Sequence, residues 1–216
     1  MRQLNSWFRN KRPHLESIRR LQMVQKRTTP ERLAAFSDGV IAIIITIMVL
    51  ELKVPHQPNL KALSELWPLF LSYALSYLFV GVFWVNHHHL LHHAKNAEPM
   101  MIWANLLVLF FVSLIPFFTE YMAETWLHPF ATALYAGIFL LVTVAFMILQ
   151  KVIAGQFGSS AELIAMDRAA SKRNWIALVA YGAAIPAAYL HPAVPLVIIL
   201  GIAAAYFIPD AFSRQG

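Results

Sequence analysis

The chain of 216 residues is 59% hydrophobic and only 13% charged, too apolar for a soluble domain of this size and suited to several membrane spans. It has no cysteine, which excludes a disulfide framework, a thiolate metal centre and a cysteine nucleophile. The formal net charge of +6 would suit nucleic acid if it covered a soluble surface, but the charge is not spread that way.

Residues 1–28 hold eight Lys or Arg against one acid, Glu16. No apolar run of secretory-signal length occurs there, so no cleaved signal peptide is expected. Leu15, Ile18 and Leu21 recur at helical spacing beside Arg19, Arg20 and Lys26. That pattern suits a helix on an anionic membrane surface and equally a solvated basic tail. Nucleic acid is not expected as a partner, because no folded recognition module accompanies the arm.

The stretch Thr29 to Pro55 organises the rest. Thr29 is placed to cap a helix, with Pro30 in the first turn and Glu31 near the positive helix end. Residues 33–52 are almost all apolar, long enough to cross a hydrocarbon core of about 30 Å. Ser37 and Asp38 lie inside this run, and a carboxylate in a membrane helix is costly unless it faces protein or water. At about 100° per residue, Ile43, Thr46, Ile47 and Leu50 cluster within roughly 60° of their mean direction, while Asp38 points some 140° from Ile43. One helix thus presents two different surfaces.

Five further apolar runs follow, at about 66–86, 100–119, 130–153, 175–190 and 194–208. The second ends in WVNHHHLLHH, with His87, His88, His89, His92 and His93. The third carries Asn105 and Ser113, with Pro116 near its end. A polar connection, Ala154 to Asn174, separates the fourth run from the last two. Those two are short and are joined only by His191, Pro192 and Ala193, which reads as a helical hairpin. The sequence therefore predicts an all-α membrane protein with six spans over residues 29–212, preceded by a basic segment at 1–28. With six spans, fifteen of the seventeen Lys and Arg fall on the side of the termini, leaving Lys53 and Lys61 on the other. The positive-inside rule then places both termini in the cytoplasm.

In this topology Ser37 and Asp38 share a leaflet with Trp84, Asn86 and the histidines. A contact between Asp38 and one of His87 to His89 is allowed, and would relieve burial of the carboxylate. Such a cluster either staples helices together or takes part in gating or proton sensing. His88 with His92, or His89 with His93, could clamp an ion, but H-E-x-x-H is absent and no acid stands within the cluster, so no metal site is expected. G-x-S-x-G and a phosphate-binding glycine loop are also absent, and the chain is not expected to be an enzyme.

The Ile43/Thr46/Ile47/Leu50 stripe has two readings. It packs against neighbouring helices, with Thr46 bonding back to its own backbone. Alternatively, symmetry copies of this face meet at an axis, where Ile43 and Leu50 form apolar constrictions and Thr46 offers oxygens to a cation. Glu51 at the outer end would raise the local cation concentration.

At Arg32 to Asp38 the chain spells R-x-x-x-F-S-D, continues G-V-I-A-I-I-I-T and closes on V-L-E-L-K-V-P. With the W-V-N-H-H run at Trp84 to His88, this resembles short bacterial members of the transmembrane protein 175 family, whose animal relative is a lysosomal potassium channel. The resemblance implies a homotetramer of six-helix subunits in the bacterial plasma (inner) membrane, among membrane lipids, with the first helices lining a central pore. It implies passive cation conduction that prefers potassium over sodium, without a T-V-G-Y-G filter and without a cofactor. By position, Ile43 becomes the narrow apolar point, with Ile47 and Leu50 beyond it, and Thr46 the selectivity layer for potassium. Arg32, Phe36, Ser37 and Asp38, with Trp84, Asn86, His87 and His88, become a structural and gating cluster away from the pore. The rival reading is a proton-coupled or metal-ion transporter that uses Asp38 and the histidines.

Overall fold

The computed structural model describes residues 29–125 and 127–207; the basic 1–28 segment and residues 208–212 of the expected six-span unit lie outside them. The described residues are all helical or irregular, in eight helices: α1 (Pro30–Leu50), α2 (Leu60–Glu65), α3 (Trp67–His92), α4 (Pro99–Ser113), α5 (Ile115–Glu124), α6 (Pro129–Ala154), α7 (Ala161–Ala187) and α8 (Ala193–Phe207).

Local chemistry sets these boundaries. The Thr29 hydroxyl accepts from Arg32 N at 3.4 Å, and Pro30 supplies a ready-made helical φ at a position whose N–H needs no partner. The Asn59 side chain caps α2, accepting from Ala62 N at 2.8 Å, and Pro68 in the first turn separates α2 from α3. Pro116 has no N–H to give the carbonyl four residues earlier, and the chain steps through a tight turn there, Leu114 N bonding to Phe111 O at 3.2 Å. The third apolar run is therefore α4 and α5 with a break between them, and it extends to Glu124.

Four helical stretches among the described residues are long and apolar enough to span a membrane: α1, α3, α4 with α5, and α6. One difference from the sequence reading lies in the last third. The polar connection is helical from Ala161 onward and runs unbroken into the apolar half of α7. Its charges at Asp167, Arg168, Lys172 and Arg173 hide this helical stretch from a reading based on apolar runs. Pro186 then ends α7, and α8, with fifteen residues, is only about 22 Å long at 1.5 Å per residue. Tyr206 donates to Asn174 Oδ1 at 2.8 Å, so α8 returns to the level where the polar part of α7 ends.

Contacts between distant residues fix the directions. Asp38 near the start of α1 meets Trp84 late in α3, and Lys53 just after α1 meets Glu120 and Glu124 at the end of α5. Gln156 after α6 holds the turn between α3 and α4: its Oε1 accepts from Lys95 N (2.9 Å) and Asn96 N (3.1 Å), and its Nε2 donates to Asn96 O (3.0 Å). Long helices that follow one another in the chain are thus antiparallel, while α1 and α4–α5, which also touch, run parallel.

The core lies among α3, α6 and α7. Phe79 and Phe139 meet edge to face at 4.0 Å, with Tyr135 and Tyr181 against Phe139. Such aromatic pairs each add about 0.5–1.5 kcal/mol beyond area burial. Three hydroxyls inside, those of Ser76, Thr119 and Tyr135, are paired in series. Thr119 donates to Ile115 O, so Ser76 must donate to Thr119 (2.6 Å), and Tyr135 OH to Ser76 (2.7 Å). No hydroxyl proton of that chain is wasted in an apolar interior. By contrast, α1 sits at the edge of the protomer. Only 28% of its most apolar stretch is buried, against 56% for α6.

Candidate functional site

Helix α1 carries two faces. Leu33, Ser37, Ile41, Ile44 and Met48, at helical spacing, are buried against the protomer. On the other side Ile43 is 59% exposed and Leu50 79%, with Ile47 also exposed. Thr46 shares this outer face. Its hydroxyl donates to Ile43 O at 2.8 Å. With its only proton committed to the backbone, the oxygen presents lone pairs, not a donor, to whatever lies outside. The outer face is thus apolar at Ile43, Ile47 and Leu50 and electron-rich at Thr46.

The inner face is anchored by two polar chains. In the buried one, Ser37 donates to Leu33 O (2.8 Å) and must accept from Asn105 Nδ2 (2.9 Å). That turns the Asn105 carbonyl toward His87, whose Nε2 lies 2.8 Å away and is therefore the protonated nitrogen. Ser37, Asn105 and His87 have no solvent exposure, so the chain locks α1, α4 and α3 together. In the half-exposed chain, Trp84 Nε1 donates to Asp38 Oδ1 at 2.7 Å, and His88 Nδ1 stands 4.0 Å from Asp38 Oδ2. His88 in turn meets His92, Nε2 to Nε2, at 3.0 Å.

The other sequence-singled residues go elsewhere. Arg32 and Phe36 are exposed on α1 and stand outside both chains, Phe36 on the side of Ile43. Asn86 bonds back to Val82 O at 2.8 Å and faces α6 and α7. His89 and His93 line a cavity on the opposite side of α3 from Asp38. Among the described residues no three His, Asp or Glu converge as metal ligands.

At the far end, Lys53 pairs with Glu120 at 3.3 Å and with Glu124, tying the end of α1 to α5. Hydrogen bonding to Glu120, followed by desolvation and the charges of Glu120 and Glu124, raises the Glu51 carboxyl above its ordinary value, and Lys53 opposes this. Bonds to Glu124 and Glu120 raise the Lys53 ammonium. Sequence reasoning missed this cluster and the bridging role of Asn105. The signals were opposite charges assigned to the same side, and one amide inside an otherwise apolar run.

Residues 32–116 match the family model described as the endosomal/lysosomal potassium channel TMEM175. A potassium channel of a Chryseobacterium species is 37% identical over 183 residues, covering 84% of this chain and 94% of that protein. The crystal structure of a lysosomal potassium-selective channel TMEM175 homolog from Chamaesiphon minutus aligns with a TM-score of 0.70 and 31% identity, over 83% of this chain and 98% of the other. The chain belongs to the TMEM175 family. It is a multi-pass membrane protein, as its long apolar helices require. The human TMEM175, named an endosomal/lysosomal proton channel, is 39% identical over 98 residues, 40% of this chain and 19% of the human protein. Both polar chains that anchor α1 fall inside the residues matched by the TMEM175 model, whereas α6, α7 and α8 lie beyond them.

Proposed function

We propose that this chain is the subunit of a potassium-selective cation channel in which four copies meet with α1 innermost. Ile43, Ile47 and Leu50 form apolar constrictions that control hydration of the pathway, and Thr46 contributes a ring of hydroxyl oxygens that holds a partly dehydrated potassium ion in preference to sodium. Conduction is passive, with potassium as the permeant ion and no organic cofactor. Glu51 concentrates cations at the outer mouth. The unit spans residues 29–212, with α7 and α8 as the fifth and sixth crossings. Both termini face the cytoplasm of a bacterial cell across its inner membrane. Among the described residues, Arg32, Lys95, Lys151, Arg168, Lys172 and Arg173 cluster toward the end where α1 begins, against Lys53 and Lys61 at the other, which supports that orientation.

The observation that carries the reading is the unburied outer face of α1, where Thr46 directs lone pairs away from its own protomer. Membership of a family whose bacterial members are named potassium channels supports it. The transporter reading would route protons or metal through Asp38, His88 and His92. Those groups lie at the α1–α3 contact and not along the exposed stripe, and α1 has no interruption of the kind that builds midplane transporter sites. Reconstitution of the protein in potassium-loaded liposomes tests the proposal. Potassium efflux above that of empty vesicles, without a proton gradient, is expected. Flux that saturates and needs a proton gradient would favour the transporter.

A further inference from the structure

The histidine run at the end of α3 does more than anchor α1. His88 and His92, one turn apart, point their Nε2 atoms at each other across 3.0 Å, with the rings edge to face at 4.5 Å. In a neutral pair one of these nitrogens donates and the other accepts. Two imidazoles that share an ion instead of a proton stand at a similar separation. With metal–nitrogen bonds of ~2.0 Å, nitrogens 3.0 Å apart subtend about 95° at the metal. That is close to the right angle of square-planar and octahedral sites, and narrower than the tetrahedral angle zinc prefers.

No acid stands within the run itself, but α1 supplies one. Asp38 Oδ2 faces His88 Nδ1 at 4.0 Å, and that nitrogen is shielded from solvent with no hydrogen-bond partner among the described residues. Trp84 holds the other carboxylate oxygen, which keeps Oδ2 turned to the ring; a closure of about 1 Å makes a hydrogen bond. A carboxylate on the far nitrogen of a ligating histidine fixes its tautomer and raises its basicity. Glu31, seven residues before Asp38 and therefore within about 20° of it around α1, is in electrostatic reach of His92. Arg32 lies about 20° from Ile43 around the same helix, on the outer face. His92 is exposed and the His88 side chain 36% exposed, which gives an ion and its waters a way in.

We propose that His88 and His92 bind a divalent transition metal of the copper(II) or nickel(II) kind through their Nε2 atoms, with Asp38 on His88 Nδ1 as the positioning group and water in the remaining positions. The neutral pair loses no proton in the exchange: His92 moves its proton from Nε2 to Nδ1 through water as the metal takes the Nε2 lone pair. The bound ion fastens the last turn of α3 to α1 by way of Asp38. The site stands independently of ion conduction.

Copper(II), the tightest binder among such ions, is the probe. Full-length protein without a histidine tag, stripped of metal by chelator and kept in detergent, is titrated with Cu²⁺ and followed by electron paramagnetic resonance. One tightly bound ion per chain is expected, with splitting from two nitrogens. Asp38→Asn should weaken binding about tenfold or more, and His92→Gln, which loses a direct ligand and one nitrogen from the spectrum, by a larger factor. His93→Gln, which breaks the other pair at this spacing (His89 with His93), should change neither spectrum nor affinity. Melting curves establish that each variant is folded; if Asp38→Asn is not, His92→Gln and His93→Gln decide. Wild-type affinity no higher than that of His92→Gln, a spectrum lost in His93→Gln, or an undiminished affinity in folded Asp38→Asn would overturn the assignment.

Discussion

Trp84 donates its indole N–H to the Asp38 carboxylate over 2.7 Å, and this one bond joins the face of α1 opposite Ile43 to the last turns of α3. A hydrogen bond to a charged group contributes about 1.5–3 kcal/mol, and water can replace part of it here because the carboxylate is half-exposed. Trp84→Phe is therefore expected to cost about 1.5 kcal/mol in detergent unfolding. Asp38→Asn combined with Trp84→Phe should cost less than the two single changes together. Strict additivity would show that the pair does not couple.

The buried chain should be less forgiving. Asn105→Leu leaves the His87 Nε2–H without an acceptor where no water reaches it, a loss of about 1–3 kcal/mol. Adding His87→Leu removes the stranded donor and should recover part of that stability. A double variant as unstable as the single one would mean that packing, and not the hydrogen bond, sets the cost.

Much of this architecture is written in apolar runs, and the places where it is not have physical reasons. Residues 33–52 and 130–153 coincide closely with α1 and α6, because an uninterrupted apolar stretch bounded by proline has few other solutions. The first half of α7 is not legible as a helix because the charges at Asp167, Arg168, Lys172 and Arg173 interrupt its apolar residues and mask the helical period. The pairing of Asp38 was narrowed to His87 through His89 by topology alone. Helix phase then gave the direct bond to Trp84, left His88 at 4.0 Å and turned His87 to Asn105. Which of three adjacent side chains meets a partner depends on rotation between helices, and one chain's periodicity does not contain that information.

Glu51 makes the outer end sensitive to acid. Its carboxyl titrates above the ordinary value of 4.5 because the protonated form bonds to Glu120. The sign follows from linkage: the contribution of the pair to stability is full below 4.5 and is lost as pH rises through the raised value. The negative charge at the mouth appears over that same window. External acidification through it should reduce potassium current, and Glu51→Gln should flatten the response. An unchanged pH profile in Glu51→Gln would remove Glu51 from the mouth.

Selectivity should depend on the Thr46 oxygen and not on the size of the side chain. Thr46→Val keeps the shape and loses the lone pairs, while Thr46→Ser keeps them. With about 1 kcal/mol for a neutral polar contact, Thr46→Val should lower the preference for potassium over sodium about fivefold, read as a shift in bi-ionic reversal potential toward zero. Thr46→Ser should stay near the wild type. Equal losses in both variants would point to packing.

Because the chain has no cysteine of its own, a single introduced thiol reports on one position without background. The most direct measurement is potassium current through reconstituted Thr46→Cys before and after a membrane-impermeant cationic thiol reagent, with mass spectrometry confirming modification. Irreversible block of the current, absent in the buried-face control Met48→Cys, is the result expected if the outer face of α1 lines the pathway. Full labelling of Thr46→Cys with current unchanged would contradict it.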